Sequence, residues 1–304
     1  MTNKSILLIS AVLVIIISIP FINLDYIYDS TVNNKNIVFA DNISKKQEKP
    51  LYIGFIPHSS GVKMVRKWQP LVEYLSRELG TNVEAVFKSS YRDVVAALSD
   101  GSMDICLTGA FVYIMAKQEI DIKPVARRII NKSSMYRSII VVRKNSKIDS
   151  FDDLKNKRFA FTDRISTTGY FLPVAMMRER GIFEPEQYFS EIIFTGNHDS
   201  ALLSVYMKSV EAGAVSIDFW RIENPKIKEL KILWQSPLVP LGPFVVRPGM
   251  DSTKRIKIEE AFLNIGKTAD TLQLTKHLQI NRFIKAKDKD YDILRGVAGI
   301  NGYF

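Results

Sequence analysis

Residues 51–87, LYIGFIPHSSGVKMVRKWQPLVEYLSRELGTNVEAVF, contain the alternation of elements on which the fold depends. The apolar run at 51–57 is rich in β-formers and ends in a proline, which predicts a short strand followed by a loop. Apolar residues then recur at helical spacing over 68–79, and Gly80 ends this amphipathic stretch. A further apolar run, Val83–Phe87, predicts the next strand. The stretch therefore predicts a strand, a helix and a strand in succession.

The same alternation continues along the chain. Residues 92–98 predict a short helix and residues 103–107 a third strand, an order that is typical of a parallel sheet. Later segments repeat the pattern, with strands predicted at 139–142, 158–161, 192–194, 212–215, 231–234 and 244–246 and helices at 170–178 and 256–266. We therefore expect an α/β protein with two lobes, each a mostly parallel sheet flanked by helices. Ligands of such sheets bind in loops at the carboxyl ends of strands.

The composition favours a folded protein and argues against several functional classes. The chain has 304 residues, enough for two domains of ordinary size, and 46% of them are hydrophobic. Its single cysteine, Cys106, excludes internal disulfides and zinc ribbons, and its apolar neighbours predict a buried thiol. The net charge is +10, but Lys and Arg are scattered along the chain, which indicates a basic solvated surface and no nucleic-acid partner.

The N-terminal residues predict export. Lys4 is followed by an uncharged stretch to Leu24 that is dense in Ile, Leu and Val, so residues 1–24 are typical of a signal peptide or a membrane anchor. Ala40 offers a cleavage site, although it lies far beyond the apolar run. No cysteine is present here for a lipid anchor. We expect residues 25–50 to form a linker and the folded part to lie in the periplasm or another extracytoplasmic space.

The strongest functional signal is the segment Ser166-Thr167-Thr168-Gly169, between a predicted strand and a predicted helix. Three hydroxyl donors lie beside a helix N-terminus, which adds free backbone N–H groups and a partial positive charge. A glycine allows close approach of a ligand to the backbone. The segment can be an uncharged cradle for an oxyanion. It can also be an ordinary Ser/Thr helix cap, which is common at any helix start.

Four further polar residues are candidates for the same site. His198 opens a predicted helix, where it is either a donor to an anion or a surface loop residue. Asp218 follows a predicted strand and either accepts a proton from a ligand oxygen or caps the next helix. Tyr91 and Tyr136 either donate phenolic hydrogen bonds or serve in packing. His58 and His277 have no metal-ligand spacing to His198, so the sequence predicts no metal site, and it contains no cofactor motif.

With these residues in place, the chain from about Leu51 onward resembles the phosphonate/phosphite/phosphate-type periplasmic substrate-binding proteins of ABC importers. The specific parts of this resemblance are the Ser-Thr-Thr-Gly loop and the His-Asp element downstream of it. Other matching motifs occur in the family's order: Ile53-Gly54-Phe55-Ile56-Pro57, Thr108-Gly109-Ala110-Phe111-Val112-Tyr113, Tyr136-Arg137-Ser138-Ile139, Val210-Glu211-Ala212-Gly213-Ala214-Val215 and Ser236-Pro237-Leu238-Val239-Pro240.

The resemblance implies a type II periplasmic-binding architecture, two lobes with hinge crossovers. Lobe I would comprise residues 51–142 and the return 234–304 with C-terminal helices, and lobe II residues 143–233. The resemblance also assigns roles to the candidate residues. Ser166, Thr167 and Thr168 would hold the oxyanion, Tyr91 would close over it from the first lobe, Tyr136 would contact it from the hinge, His198 would face it, and Asp218 would be the downstream acid.

One position departs from the family pattern. Members that bind aminoalkyl phosphonates carry an acid in the Ser-Pro-x-x-Pro-x-x-Pro turn, where it meets the ligand's ammonium. This chain has Gly242 at that position. The sequence therefore favours phosphite, phosphate or methylphosphonate over 2-aminoethylphosphonate.

Three functional hypotheses follow, from different classes. The first is the solute-binding subunit of an ABC importer, a monomer that captures a small phosphorus oxyanion and docks on a membrane permease. The second is a membrane-tethered sensing domain of the same fold that signals through a partner protein. The third is an enzyme, but no activated nucleophile, metal cluster or cofactor motif accompanies His198 and Asp218, so we expect a non-catalytic protein.

Overall fold

The structure is a computed structural model that describes residues 49–220 and 225–302. Its first sheet has six strands in the order β13-β4-β12-β3-β1-β2. Their bounds are β1 Leu51–Phe55, β2 Val83–Phe87, β3 Ile105–Leu107, β4 Lys123–Ile129, β12 Phe244–Val246 and β13 Arg282–Lys285. Strands β2 and β3 both pair in parallel with β1, as the alternation predicted.

The second sheet repeats this arrangement with five strands in the order β10-β6-β9-β7-β8. Their bounds are β6 Ser138–Arg143, β7 Arg158–Phe161, β8 Glu191–Phe194, β9 Ala212–Ser216 and β10 Leu230–Gln235. In each sheet four strands point the same way, and one reversed strand is inserted between the third and fourth of them. In the first sheet the edge strand β13 is reversed as well. The expected parallel direction is therefore present, but the inserted strands make the pairing in both sheets mixed.

Helices cover both faces of each sheet. The longer ones are α1 Gly61–Leu79, α2 Tyr91–Ser99, α3 Ala110–Glu119, α4 Leu172–Glu179, α6 His198–Tyr206, α8 Ser252–Asn264, α9 Ala269–Leu278 and α10 Asp292–Ile300, and α5 Pro185–Tyr188 and α7 Ile217–Trp220 are single turns. Alternate residues of a strand point to opposite faces, so each sheet contributes to two apolar clusters. Cys106 lies in one of them, fully buried as predicted.

The two sheets are joined through a small antiparallel pair, β5 Met135–Tyr136 and β11 Val239–Pro240. The sequence placed the end of lobe I at residue 142, but every residue of β6 up to Val142 pairs with a strand of the second sheet. The chain therefore passes from β4 of the first sheet through β5 to the second sheet before Ser138. Gln235 is likewise still in the second sheet, so the return begins after it, and not at residue 234.

The predicted signal or anchor, residues 1–24, and nearly all of the linker lie outside the described residues. In the part of the chain that the structure describes, no helix has both the length and the apolar character needed to cross a membrane.

Candidate functional site

One cavity of about 600 Å³ lies between the loops of the first sheet and those of the second. Segments from both sheets and from the β5–β11 pair contribute to its wall, because the carboxyl ends of several strands open towards it. All seven site residues that the sequence singled out line this cavity: Tyr91, Tyr136, Ser166, Thr167, Thr168, His198 and Asp218. The structure thus brings together residues that lie as far apart in the sequence as Tyr91 and Asp218.

Ser166 begins a single π-helical turn, Thr167–Phe171, which leads directly into α4. Its hydroxyl oxygen accepts a hydrogen bond from the N–H of Gly169 at 3.1 Å, and its carbonyl accepts one from Phe171 at 2.9 Å. The helix-cap interpretation is therefore correct for the Ser166 oxygen. The first N–H groups of the turn have no intrahelical acceptor, however, and the capping hydroxyl still has a proton to donate.

The two threonines of this loop are held in place from both sheets. Thr167 Oγ1 accepts a hydrogen bond of 2.8 Å from the N–H of Phe111, at the start of α3. The Thr168 carbonyl accepts one of 2.5 Å from the hydroxyl of Ser138, on β6. Because the Thr167 oxygen acts as an acceptor here, its hydroxyl proton is directed to another group, and the Tyr136 side chain is within hydrogen-bonding reach of it. The cradle is a fixed arrangement of uncharged donors.

Gly169 has a different function from the one expected. A Cβ at this position would lie 1.8 Å from Thr162 Oγ1, and Gly169 is not among the residues that line the cavity. Its missing side chain lets the π-helical turn pack against β7 and its following loop. The glycine shapes the cradle from behind and does not provide close approach for a ligand.

The two tyrosines reach the cavity from the first sheet and from the hinge. Tyr91 is 1% exposed, and its hydroxyl makes no hydrogen bond of standard geometry to any described residue. Burial raises its pKa, an effect that the nearby Ser166 side chain opposes. Burial also raises the pKa of Tyr136 to about 12, so both phenols are neutral donors at physiological pH.

His198 is buried at the start of α6, and one hydrogen bond defines its tautomer. The N–H of Ser216 lies 3.2 Å from Nδ1 and can only donate, so Nδ1 must be the acceptor. The proton of the neutral ring is then on Nε2. Burial lowers the pKa of His198 to about 4, so the ring is neutral at pH 7 and offers one N–H to the cavity.

Asp218 lies in α7, immediately after β9, and lines the cavity on the side of the second sheet. Its backbone N–H donates to the hydroxyl of Ser216 at 3.3 Å, which fixes the start of this turn. Its negative charge raises the pKa of Lys67 and of Arg128 across the cavity, although burial has the larger and opposite effect on both. The acid therefore faces the first sheet.

Sequence reasoning missed four basic residues of the wall: His58, Lys63, Lys67 and Arg128. The His58 Nδ1–H donates to the carbonyl of Ile56 at 2.9 Å, and burial with the charges of Lys67 and Arg128 lowers its pKa well below 6.5. His58 is thus neutral, with an unprotonated Nε2. Arg128 is next to Arg127 on β4, and the strand period of two places them on opposite faces. Because β4 was not predicted as a strand, no sequence pattern indicated that Arg128 lies in the wall.

Gly242 lines the cavity as well, in the connection between β11 and β12. A Cβ here would lie 2.0 Å from the carbonyl oxygen of Thr108 and 2.8 Å from backbone atoms of Gly109. The close backbone packing leaves no room for an acid at this position. The absence of an acid at position 242 is therefore a consequence of how the β11–β12 connection packs against the loop after β3. Replacing Gly242 with an acidic residue would disturb this packing.

Comparison with known proteins gives a consistent result. The sequence model of the family described as "ABC transporter, phosphonate, periplasmic substrate-binding protein" matches residues 53–291. The phosphonates-binding periplasmic protein of Escherichia coli K12 is 26% identical over 264 residues, 84% of this chain and 78% of that protein. A probable phosphite-binding protein of an ABC transporter from Prochlorococcus marinus is 26% identical over 260 residues, 80% of this chain and 86% of that protein.

Solved structures share the fold. A binding protein component of an ABC phosphonate transporter from Pseudomonas aeruginosa has a TM-score of 0.78 at 23% identity, over 83% of this chain and 86% of that one. Prochlorococcus marinus PhnD1, solved with methylphosphonate, has a TM-score of 0.77 at 22% identity, over 84% of this chain and 99% of that one. At these identities the structures establish the two-lobed α/β fold.

Proposed function

Because this chain belongs to the family of periplasmic substrate-binding proteins of phosphonate ABC transporters, we propose that it captures a phosphorus oxyanion in the cavity described above and delivers it to a membrane permease. Membership of the family makes it a transporter component that acts outside the cytoplasm. The observation that carries the ligand assignment is the convergence of neutral donors from both sheets on one cavity. Neutral donors at a helix N-terminus suit an oxyanion, since they stabilise its charge without a counterion.

The ligand oxygens are distributed over both sides of the cavity. On the second sheet, the ligand oxygens accept hydrogen bonds from the N–H groups and hydroxyls of the Ser166–Thr168 loop. They also accept one from the Nε2–H of His198. From the first sheet, the Tyr91 hydroxyl supplies a buried donor next to Ser166. Asp218 accepts the proton of a protonated ligand oxygen. Each residue keeps the role that the family resemblance gave it.

We take the two sheets as the two lobes, residues 49–129 with 242–302 and residues 138–235, and the β5–β11 pair as the hinge. Residues of both lobes are needed to enclose the ligand, so binding favours the closed arrangement. The closed form is the one that the permease recognises. The protein acts as a monomer, and the N-terminal residues serve as its signal or anchor.

The proposed role includes no chemistry on the ligand. The described geometry leaves His198 no free basic nitrogen, because Nδ1 accepts from Ser216 and Nε2 carries the proton. Cys106 is fully buried with a raised pKa, which disfavours a nucleophilic thiolate. The sensing hypothesis shares the same ligand site, and family membership favours the transporter component over it.

Calorimetric titration of the purified protein tests the proposal. Phosphite, phosphate and methylphosphonate are the ligands, and sulfate and acetate are the control anions. At least one phosphorus oxyanion should bind with one-to-one stoichiometry and a Kd of about 1 μM or tighter, about −8 kcal/mol. Failure of all three ligands to bind, or equal binding of sulfate and acetate, would contradict the assignment.

A further inference from the structure

The wall of the cavity that the first sheet forms carries two cations that the oxyanion cradle does not need. Lys67 lies on α1 and Arg128 on β4, both half-buried, and both line the cavity. Each lies near the ring of Trp68, with the Lys67 Nζ 5.5 Å and the Arg128 Cζ 5.9 Å from its centroid. The stacking holds the two cations beside one another at the cavity surface.

Neither cation has an ion pair with any residue that the structure describes, and the Nε of Arg128 is buried without a hydrogen bond. Two neighbouring cations are paired. Lys63, at the rim of the same cavity, is 3.1 Å from Asp199, and Arg127, on the opposite face of β4, is 3.6 Å from Asp290. Lys67 and Arg128 thus differ from these two paired neighbours.

Holding two unpaired cations side by side is unfavourable, because each loses hydration and repels the other. Burial and the charge of Arg128 lower the pKa of Lys67 to about 8, which shows the cost. Asp218 is the acid among the described residues of the wall, and one acid does not balance two cations. An anionic group bound between Lys67 and Arg128 would remove the penalty.

The cavity has room for such a group in addition to a phosphorus oxyanion. Its volume of about 600 Å³ is in the range that encloses drug-sized organic ligands, which are much larger than phosphite or methylphosphonate. The neutral donors of the second sheet already suffice for one oxyanion. Gly242 also lines the cavity, and its packing against Thr108 leaves no room for an acidic side chain that could meet a cationic tail. The wall thus disfavours a cationic group on the part of the ligand beyond the oxyanion, the tail. It favours an anionic tail, which Lys67 and Arg128 can bind.

We propose that the ligand is a phosphonate or phosphate compound with a second anionic group, and that Lys67 and Arg128 bind this second group while the Ser166–Thr168 cradle binds the first. The proposal rests on the proposed function, since it assigns the tail of the same ligand. The second group is a carboxylate or another phosphoryl group, and both present the oxygen pairs that a guanidinium and an ammonium bind.

Calorimetry with matched ligands tests the assignment. Phosphonoacetate and phosphonoacetamide differ in the charge of the tail and hardly in shape, and methylenediphosphonate replaces the carboxylate with a phosphoryl group. Phosphonoacetate should bind roughly tenfold or more tightly than phosphonoacetamide, and 2-aminoethylphosphonate should bind most weakly. If methylenediphosphonate binds more tightly than phosphonoacetamide and phosphonoacetate does not, the second anionic group is a phosphoryl group.

Variants test whether Lys67 and Arg128 cause the preference for a charged tail. Lys67→Met and Arg128→Met should each reduce the ratio of the phosphonoacetate and phosphonoacetamide affinities, and Arg66→Met, an exposed charge on the same helix, should leave it unchanged. The ratio is measured within one protein sample, so partial unfolding of a variant cancels. Equal affinities for charged and neutral tails in the wild type, or an equal loss for both in the variants, overturns the inference while the proposed function stands. If no phosphorus ligand binds at all, both fail.

Discussion

The protonation state of His198 follows from its position between two elements. The sequence left open whether this ring meets an anion as a cation or as a neutral donor. The hydrogen bond from Ser216 occupies Nδ1, and burial lowers the pKa to about 4. The ring is therefore a neutral Nε2–H donor, which is suited to an oxyanion whose charge is already shared among several hydrogen bonds.

Substitution of His198 tests this tautomer. His198→Ala should weaken phosphorus oxyanion binding by about 1.5–3 kcal/mol, the usual contribution of a hydrogen bond to a charged group. His198→Gln should retain more of the affinity, because its amide NH₂ can occupy the position of Nε2–H. Affinity measured by calorimetry should not change between roughly pH 6 and pH 8 through this residue, since its pKa lies well below that range. Equal losses for Ala and Gln would contradict the assigned tautomer.

Lys67 gives the site a pH dependence at the basic end. It is charged below its pKa of about 8 and loses the charge above it, so its attraction for an anionic tail is complete at lower pH and declines above about pH 8. Of the groups that face it, Arg128 stays charged and His58 stays neutral in this range. The phosphonoacetate to phosphonoacetamide affinity ratio should therefore fall between roughly pH 7 and pH 9.5. A ratio that is flat with pH, or one that falls equally in Lys67→Met, would contradict this role.

The residue types of the cradle could be predicted because hydroxyls beside a helix start have a recognisable chemistry. Lys67 and Arg128 could not. Lys67 occupies the half-buried edge of an amphipathic helix, where a lysine is ordinary, and only the spatial meeting of α1, β4 and the Trp68 ring turns it into a wall residue. Such a juxtaposition depends on long-range packing, which local patterns do not encode.

At the scale of elements, the predicted strands were largely confirmed, and errors concentrate where the apolar pattern is incomplete. Helix α1 begins at Gly61, seven residues before the predicted start, because Val62 and Val65 in its first turns are exposed and hide the period. Strand β4 was not predicted, since three of its seven residues are charged. The π-helical turn before α4 was also missed, because its hydrogen bonds depend on the packing of Gly169.

The packing of Gly242 against the loop after β3 makes a prediction about stability. Gly242→Ala should destabilise the protein by about 1–3 kcal/mol or more, because its Cβ would meet the backbone of Thr108 at 2.0 Å and a backbone shift is required. Chemical denaturation measures the change in the free energy of unfolding. Gly242→Asp should be at least as damaging, so it is unsuitable for testing ligand preference.

Gly296→Ala is the matched control for this effect. Gly296 lies within α10, and a Cβ there would have no atom within 4 Å. Alanine should stabilise that helix by about 1 kcal/mol or leave it unchanged. If both alanine variants are equally stable, the close approach of the two loops is not a determinant of the fold.

At the scale of the whole folded part, contacts across the cavity connect the two sheets. The Phe111 N–H donates to Thr167 Oγ1 at 2.8 Å, the His198 N–H donates to the His58 carbonyl at 3.3 Å, and the Ser59 hydroxyl donates to Asp199. The chain crosses between the sheets through β5 and β11. The lobe boundaries expected from the sequence, after residues 142 and 233, fall inside β6 and β10 of the second sheet.

Because residues of both sheets line the cavity, we expect ligand-dependent closure. Saturation with a phosphorus oxyanion should decrease the radius of gyration measured by small-angle X-ray scattering, because residues from both sheets close on the ligand about the β5–β11 pair. The decrease should be absent with sulfate if sulfate does not bind. An identical radius of gyration with and without bound ligand would argue against hinge closure, although the cradle could still bind.

The central claim is that the Ser166–Thr168 loop holds the phosphorus oxyanion, and one comparison tests it most directly. Methylphosphonate, or whichever phosphorus oxyanion binds the wild type best, is titrated by calorimetry into the wild type and into the triple variant S166A/T167A/T168A, after circular dichroism shows that the variant is folded. Each lost donor to a charged group contributes about 1.5–3 kcal/mol, so the account predicts a loss of at least a hundredfold in affinity. An affinity equal to that of the wild type in the folded triple variant would contradict it.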